Sequence, residues 1–210
     1  MPAPPVALLE PVPTTVRLAQ AVGVTVTAFL AGHTASTSYL VTPALLIAPS
    51  PALLARQWRS AYRIAHQVGT PLIAASTALF AWLASREPTD TLPFRLYTAA
   101  AVLLLPAQLP FTFIALRHAE VRLLAEADHA PSPSASASIT ASTVDVGREE
   151  DAAAAALDAD LLDAKRADTV HALVDWWATL NLGRAGCSVV AALVGAWATM
   201  GRVDVVRYRS

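Results

Sequence analysis

Few side chains in this sequence are equipped for chemistry, and they are concentrated. The richest run is Trp176-Trp177-Ala-Thr-Leu-Asn181-Leu-Gly-Arg184, which sets an indole pair beside an amide and a guanidinium. The others lie upstream: His33 and Ser36, then Gln57, Trp58, Tyr62 and His66, then Gln108 and Thr112. No Gly-rich phosphate loop, no nucleophile elbow and no Cys/His set with metal-ligand spacing accompanies them. The single Cys187 has no partner for an intramolecular disulfide, and one cysteine does not make a thiolate metal site. What remains is His, Arg, Asn, Gln, Trp, Tyr and hydroxyl groups. These can bind and polarise an aromatic ketone or a phenol, but they cannot by themselves carry electrons to oxygen. No metal site is predicted.

The richest run lies on a helix. At 3.6 residues per turn, Val170, Val174, Trp177, Asn181, Arg184 and Ser188 form one stripe, so Asn181 and Arg184 are predicted to face the same neighbour. Lipid is a poor neighbour for either. An amide and a guanidinium at the edge of hydrocarbon turn toward a bundle interior or a wet cavity, and mark a functional site by default. His33 and Ser36, three apart, share a face in the same way. His33 reads either as an interfacial histidine bonded to a backbone carbonyl or as a proton carrier, because histidine titrates near neutrality. His171 and Asp175, four apart, read as a solvated face.

The setting of these groups is apolar. Hydrophobic residues make up 55% of the 210, charged ones 15%, and the mean hydropathy is +0.47. Residues 18–55, 64–85, 96–116 and 185–201 contain no Asp, Glu, Lys or Arg. A helix needs about 20 mostly apolar residues to cross a bilayer, so an all-α bundle of four transmembrane helices is predicted, an integral multi-pass membrane protein in contact with lipid. A soluble bundle would instead show polar stripes at helical period. The net charge of −1, with no clustered basic face, supports no nucleic-acid partner.

Residues 1–16 form a Pro-rich tail without the positive start of a signal peptide. Residues 17–125 hold the first three spans. The first is predicted to end near Thr42, because Pro43, Pro49 and Pro51 forbid one continuous helix. Across 50–66, Leu54, Trp58, Ala61 and Ala65 share one face and Arg56, Arg59 and Arg63 another, the pattern of an amphipathic helix lying in the membrane interface. The second span then starts around Thr70-Pro71. The third runs from Arg95 to about Arg122 with Pro106 and Pro110 inside it. Residues 126–164 are of low complexity and predicted disordered around Pro131-Ser-Pro-Ser-Ala-Ser-Ala-Ser, with a surface helix from about Glu149. Residues 165–210 continue as an amphipathic helix into the fourth span.

Taken in order, several motifs fall on this plan: Gly32-x-x-x-Ser36-x-Ser38 followed by Pro43, then Gln57-Trp58-x-x-x-Tyr62 and Thr70-Pro71, then Pro110-Phe111-Thr112, and last Trp177-x-x-x-Asn181-x-x-Arg184. Their order resembles the anthrone oxygenase family of small membrane proteins, over residues 18–125 and 165–200. The chain departs from the family's pattern shortly after Pro110-Phe111-Thr112, where it carries His118 and Glu120 in place of a Pro and an Asn.

The resemblance implies oxidation of an anthrone-type aromatic polyketide to an anthraquinone by dioxygen, with no metal or flavin cofactor. The substrate supplies the electrons: removing a proton from its central methylene gives an electron-rich anion that reduces oxygen, recombines as a peroxide and loses water. The protein then takes a proton and stabilises charge on the carbonyl oxygen. The resemblance assigns Arg184 and Asn181 to that oxygen, His33 or His66 to the proton, and Ser36, Gln57, Trp58, Tyr62, Thr112 and Trp177 to the substrate. A non-enzymatic reading stands beside it: a four-helix membrane scaffold or small-molecule-binding protein in which Trp177, Asn181 and Arg184 tie helices together. A homo-oligomer is compatible with either.

Overall fold

The computed structural model describes residues 7–9, 12–105, 116–129, 149–200 and 206–208. Nearly all of them are helical. In chain order the elements are β1 (Ala7–Leu9), α1 (Thr14–Ser36), a π-helical stretch (Thr37–Val41), α2 (Thr42–Leu45), α3 (Pro51–Ala84), α4 (Leu92–Leu104), α5 (Arg117–His129), α6 (Glu149–Met200) and β2 (Val206–Tyr208). The expected all-α class holds, with one addition. β1 pairs antiparallel with β2, Ala7 opposite Tyr208, through three residues of each.

Three stretches are long and apolar enough to cross a membrane: Thr14–Leu45, Pro51–Ala84 and Lys165–Met200. Leu92–Leu104 is a shorter apolar helix; of the expected third span, residues 106–115, with Pro106, Gln108, Pro110 and Thr112, lie outside the described residues, and its end from Arg117 to Arg122 falls in α5. The first span passes the expected stop at Thr42. Pro43 stands in the first turn of α2, where a missing N–H costs nothing. Just before it the helix widens by one residue per turn, and both the backbone N–H and the hydroxyl of Thr42 donate to the carbonyl of Thr37.

The expected interfacial helix and second span are one helix. Pro71 lies inside α3 without ending it, since a proline removes only one ladder bond when the helix is held on both sides. At the other end, Glu126 to His129 belong to α5 rather than to a loop, and the expected disorder at 130–148 falls outside the described residues. The helix expected from about Glu149 is present and runs unbroken to Met200.

Contacts gather the described residues into two units, the first from Met1–Thr34, Gln67–Phe111 and Gly183–Ser210, the second from Ala35–His66 and Thr112–Leu182. The core of the first unit is Phe80 and Leu83 of α3, Tyr97, Ala100 and Leu104 of α4, Val16 and Leu30 of α1, and Ala191 and Ala198 of α6. Small residues bring α6 close: a Cβ added to Gly195 would meet the Phe80 ring at 2.5 Å. Phe80 in turn stacks on Tyr97 at 6.2 Å between ring centres, and the Tyr97 hydroxyl accepts from the Gln20 amide at 2.8 Å. α4 is capped by Thr91, whose side chain accepts from the Phe94 N–H.

The second unit packs the first turns of α3 against α5 and the middle of α6. α3 buries Leu54, Ala55 and Trp58, and α6 buries Val170, Val174, Trp177, Ala178 and Asn181. α5 contributes Leu116 just before its start, then Ala119, Leu123 and Ala127. Their spacing of three and four is one helical face. Two ion pairs at the exposed edge, Arg59 with Asp128 and Arg166 with Glu126, link α5 to α3 and to α6. Exposed pairs of this kind add little stability.

Candidate functional site

The second unit holds most of the groups that the sequence singles out. Trp58, Tyr62 and His66 are four apart on α3, so they rise along one side of it. Trp177 and Asn181 are likewise four apart on α6. The rings meet in the stacked and edge-on arrangements that aromatic quadrupoles favour. Trp58 stacks on Tyr62 at 5.1 Å and 18°, and Trp177 stands at 90° to Trp58 at 5.5 Å. Tyr62 meets Trp177 at 6.3 Å and His66 at 5.9 Å, both edge-on.

A carboxylate joins this cluster. Glu120 of α5, half-buried, accepts from the Tyr62 hydroxyl on Oε2 at 3.3 Å and from Trp177 Nε1 on Oε1 at 3.4 Å. Both bonds are at the long end of the hydrogen-bond range. An ionised carboxylate offers about four lone-pair directions, so the two bonds leave room for another hydrogen. Trp58 differs from its neighbours. It is wholly buried, and its Nε1–H has no acceptor among the described residues. A buried donor without an acceptor costs about 1–3 kcal/mol, which a bound oxygen would relieve.

One turn along α6, the buried Asn181 donates Nδ2 to Ser38 Oγ at 3.1 Å. Ser38 belongs to the π-helical stretch, a local widening of the kind found frequently at functional sites. The predicted stripe is therefore present: Val170, Val174, Trp177, Asn181 and Ser188 are all buried, while Arg184 is half-buried.

The remaining predicted residues are distributed differently. Gln57 and His66 are exposed and Ser36 is half-buried. His33 and Arg184 belong to the first unit, where His33 stacks on Phe29 at 6.3 Å and 8°. Thr112 lies outside the described residues. His171 is turned onto its own helix, with Nδ1 2.8 Å from the Ala167 carbonyl, and Asp175 is exposed, as a solvated face requires. Among the described residues no three His, Cys, Asp or Glu side chains are grouped to hold a metal ion.

Glu120 is the residue that sequence reasoning missed as a participant. A signal was available. Glu120 is four residues after Leu116 and three before Leu123, on the flank of the apolar face of α5, and a carboxylate there is costly unless it serves a partner. The first unit has an apolar cavity of about 350 Å³ between α3 and α4, lined by Thr77, Ala81, Phe94, Thr98, Ala101 and others. It carries none of the predicted residues.

The family model described as anthrone oxygenase matches residues 58–194, from the first tryptophan of the cluster to beyond Arg184. The chain is also 33% identical over 99 residues to the anthrone oxygenase AgnL2 of Paecilomyces divaricatus. That alignment takes in 47% of this chain and 60% of the relative, less than two thirds of its length. No solved structure matches.

Proposed function

Because the chain belongs to the anthrone oxygenase family, we propose that it oxidises an anthrone-type aromatic polyketide to an anthraquinone with dioxygen, as an integral multi-pass membrane enzyme without a cofactor. The observation that supports this most is the cluster of Trp58, Tyr62 and Trp177 around Glu120, in which the Trp58 N–H has no acceptor. A flat tricyclic ketone suits aromatic walls, and its carbonyl suits an unfilled donor. The reaction balances without a redox cofactor: the substrate methylene becomes a carbonyl, taking one oxygen atom of dioxygen, and the other atom leaves as water.

In this reading the side chains do three things. Trp58, Tyr62 and Trp177 hold the ring system, with Ser36, Gln57 and Thr112 as further substrate contacts. Asn181 and Arg184 are the donors for negative charge on the carbonyl oxygen, a kind of preorganised stabilisation that contributes about 10²–10³-fold per donor. Of the two histidines, His66 touches the cluster through Tyr62 and is exposed, so it suits passing the proton on to water; His33 is the alternative.

The membrane part of the proposal rests on an inside-out distribution along α6. Small residues Ala185, Ser188, Ala191, Ala192 and Ala198 are buried, while Val189, Val190, Leu193, Trp197 and Met200 are exposed. In membranes small residues let helices approach and large apolar ones face the lipid.

One observation favours the non-enzymatic reading. The Asn181 amide is engaged by Ser38, as it would be in a scaffold that uses the amide to tie helices. Oxygen uptake decides between them. Membranes containing the protein, given emodin anthrone, are expected to consume oxygen above the spontaneous rate, to do so in the presence of a metal chelator, and to lose the excess in Arg184→Ala. Uptake at the background rate with emodin anthrone and related anthrones, by protein shown to be folded, would leave the scaffold reading standing.

A further inference from the structure

We propose that Glu120 is the catalytic base, the group that takes the proton from the substrate methylene; this rests on the anthrone-oxidising reading and deepens it. Three observations converge on this carboxylate. It is placed by one donor from each of two helices, Tyr62 on α3 and Trp177 on α6, and so stands where the two aromatic walls come together. Its two bonds, at 3.3 and 3.4 Å, are loose enough to leave it an acceptor for a third hydrogen. The third observation is Trp58, fully buried in the same cluster with an N–H that no described residue accepts. The cluster thus offers what an anthrone presents in reverse. Its ketone oxygen and its methylene carbon lie at opposite positions of the central ring. A donor and a base for them must come from different elements, as Trp58 of α3 and Glu120 of α5 do.

The step is a proton transfer followed by oxidation. The methylene C–H bond breaks, its proton goes to a Glu120 oxygen, and its electron pair stays on the substrate as an enolate whose oxygen is met by donors. The enolate passes one electron to dioxygen, the two radicals join through a new C–O bond, and the resulting peroxide loses water by O–O cleavage to give the quinone. Glu120 returns its proton to the departing oxygen or to solvent and is unchanged over the cycle. The histidines then have no part in the first proton transfer.

The test uses the full-length protein in membranes and emodin anthrone as the probe. Glu120→Gln keeps size and one acceptor but cannot take a proton. It is expected to lower kcat about 10²- to 10⁴-fold, with KM within about threefold of wild type, the pattern of an interaction made only on the way through the transition state. Glu120→Ala is expected to be equally slow and to regain at least about tenfold when acetate is added, because the small carboxylate enters the vacated space and acts as the base. Binding of emodin, the quinone product, read as quenching of tryptophan fluorescence, shows that the variants keep the site. A Glu120→Gln enzyme with wild-type kcat overturns the assignment and leaves the anthrone-oxidising reading intact. So does a slow Glu120→Ala that binds emodin and does not respond to acetate. A wild-type protein that oxidises no anthrone overturns both.

Discussion

Asn181 and Ser38 are joined by a 3.1 Å hydrogen bond between buried side chains that are 143 positions apart in the chain. The bond connects α6 to the widened turn before Pro43. Replacing Ser38 by alanine takes one acceptor from the Asn181 amide and is expected to lower stability by about 1–3 kcal/mol, read as the midpoint of unfolding in detergent. Asn181→Ala is expected to do the same and, in addition, to reduce kcat for emodin anthrone about 10²–10³-fold. Equal activity of the two variants would restrict Asn181 to holding the helices together.

Trp58 yields a prediction that separates stability from activity. Its N–H is buried without an acceptor among the described residues, so Trp58→Phe removes a donor that contributes nothing to the resting fold. The loss of ring area is partly offset by the relieved donor, and the net change in stability is expected to stay below about 1.5 kcal/mol. Turnover of emodin anthrone is expected to fall about tenfold or more, the effect of removing a hydrogen bond to a developing oxyanion. If Trp58→Phe turns over at the wild-type rate, the substrate oxygen lies elsewhere.

How far the sequence could be read depended on whether a feature was local. The stripe from Val170 to Ser188 was legible because helical period alone puts those residues on one face, and all but Arg184 are in fact buried. The helix from Glu149 was legible from composition. Glu120 was visible only as a departure from a family pattern, since its meaning depends on Tyr62 and Trp177, 58 and 57 residues away. The join of the expected interfacial helix to the second span was illegible for a different reason. A proline is a strong local stop signal, yet α3 runs through Pro71 without ending. The pairing of β1 with β2 likewise brings together the two ends of the chain, which no local pattern reports.

Gln20 and Tyr97 make a buried pair at 2.8 Å in the first unit, far from the aromatic cluster in sequence. Tyr97→Phe removes the acceptor of a buried amide, at an expected cost of about 1–3 kcal/mol. Adding Gln20→Met removes the amide as well and is expected to restore most of the loss, because two apolar partners of similar shape can be nearly neutral. Thermal unfolding of the single and double variants measures this. A double variant less stable than Tyr97→Phe would mean that the amide has another role.

Gly195 and Gly23 make a pair of predictions about the same ring. A Cβ at Gly195 would lie 2.5 Å from Phe80 Cζ and 2.6 Å from Cε1, far inside contact distance, whereas a Cβ at Gly23 would lie 3.5 Å from Cε1, an ordinary contact. Phe80 is fully buried and stacked on Tyr97, so it has little room to yield. Gly195→Ala is therefore expected to destabilise by about 1–3 kcal/mol through overpacking. Gly23→Ala is expected to be neutral or to stabilise by up to about 1 kcal/mol, since alanine is the better helix former. The smaller ring-free side chain of Phe80→Leu should make room, so Gly195→Ala should cost less in that background than in wild type. Unfolding midpoints of the four proteins settle it, and an equal cost in both backgrounds would show that α6 moves away rather than pressing on Phe80.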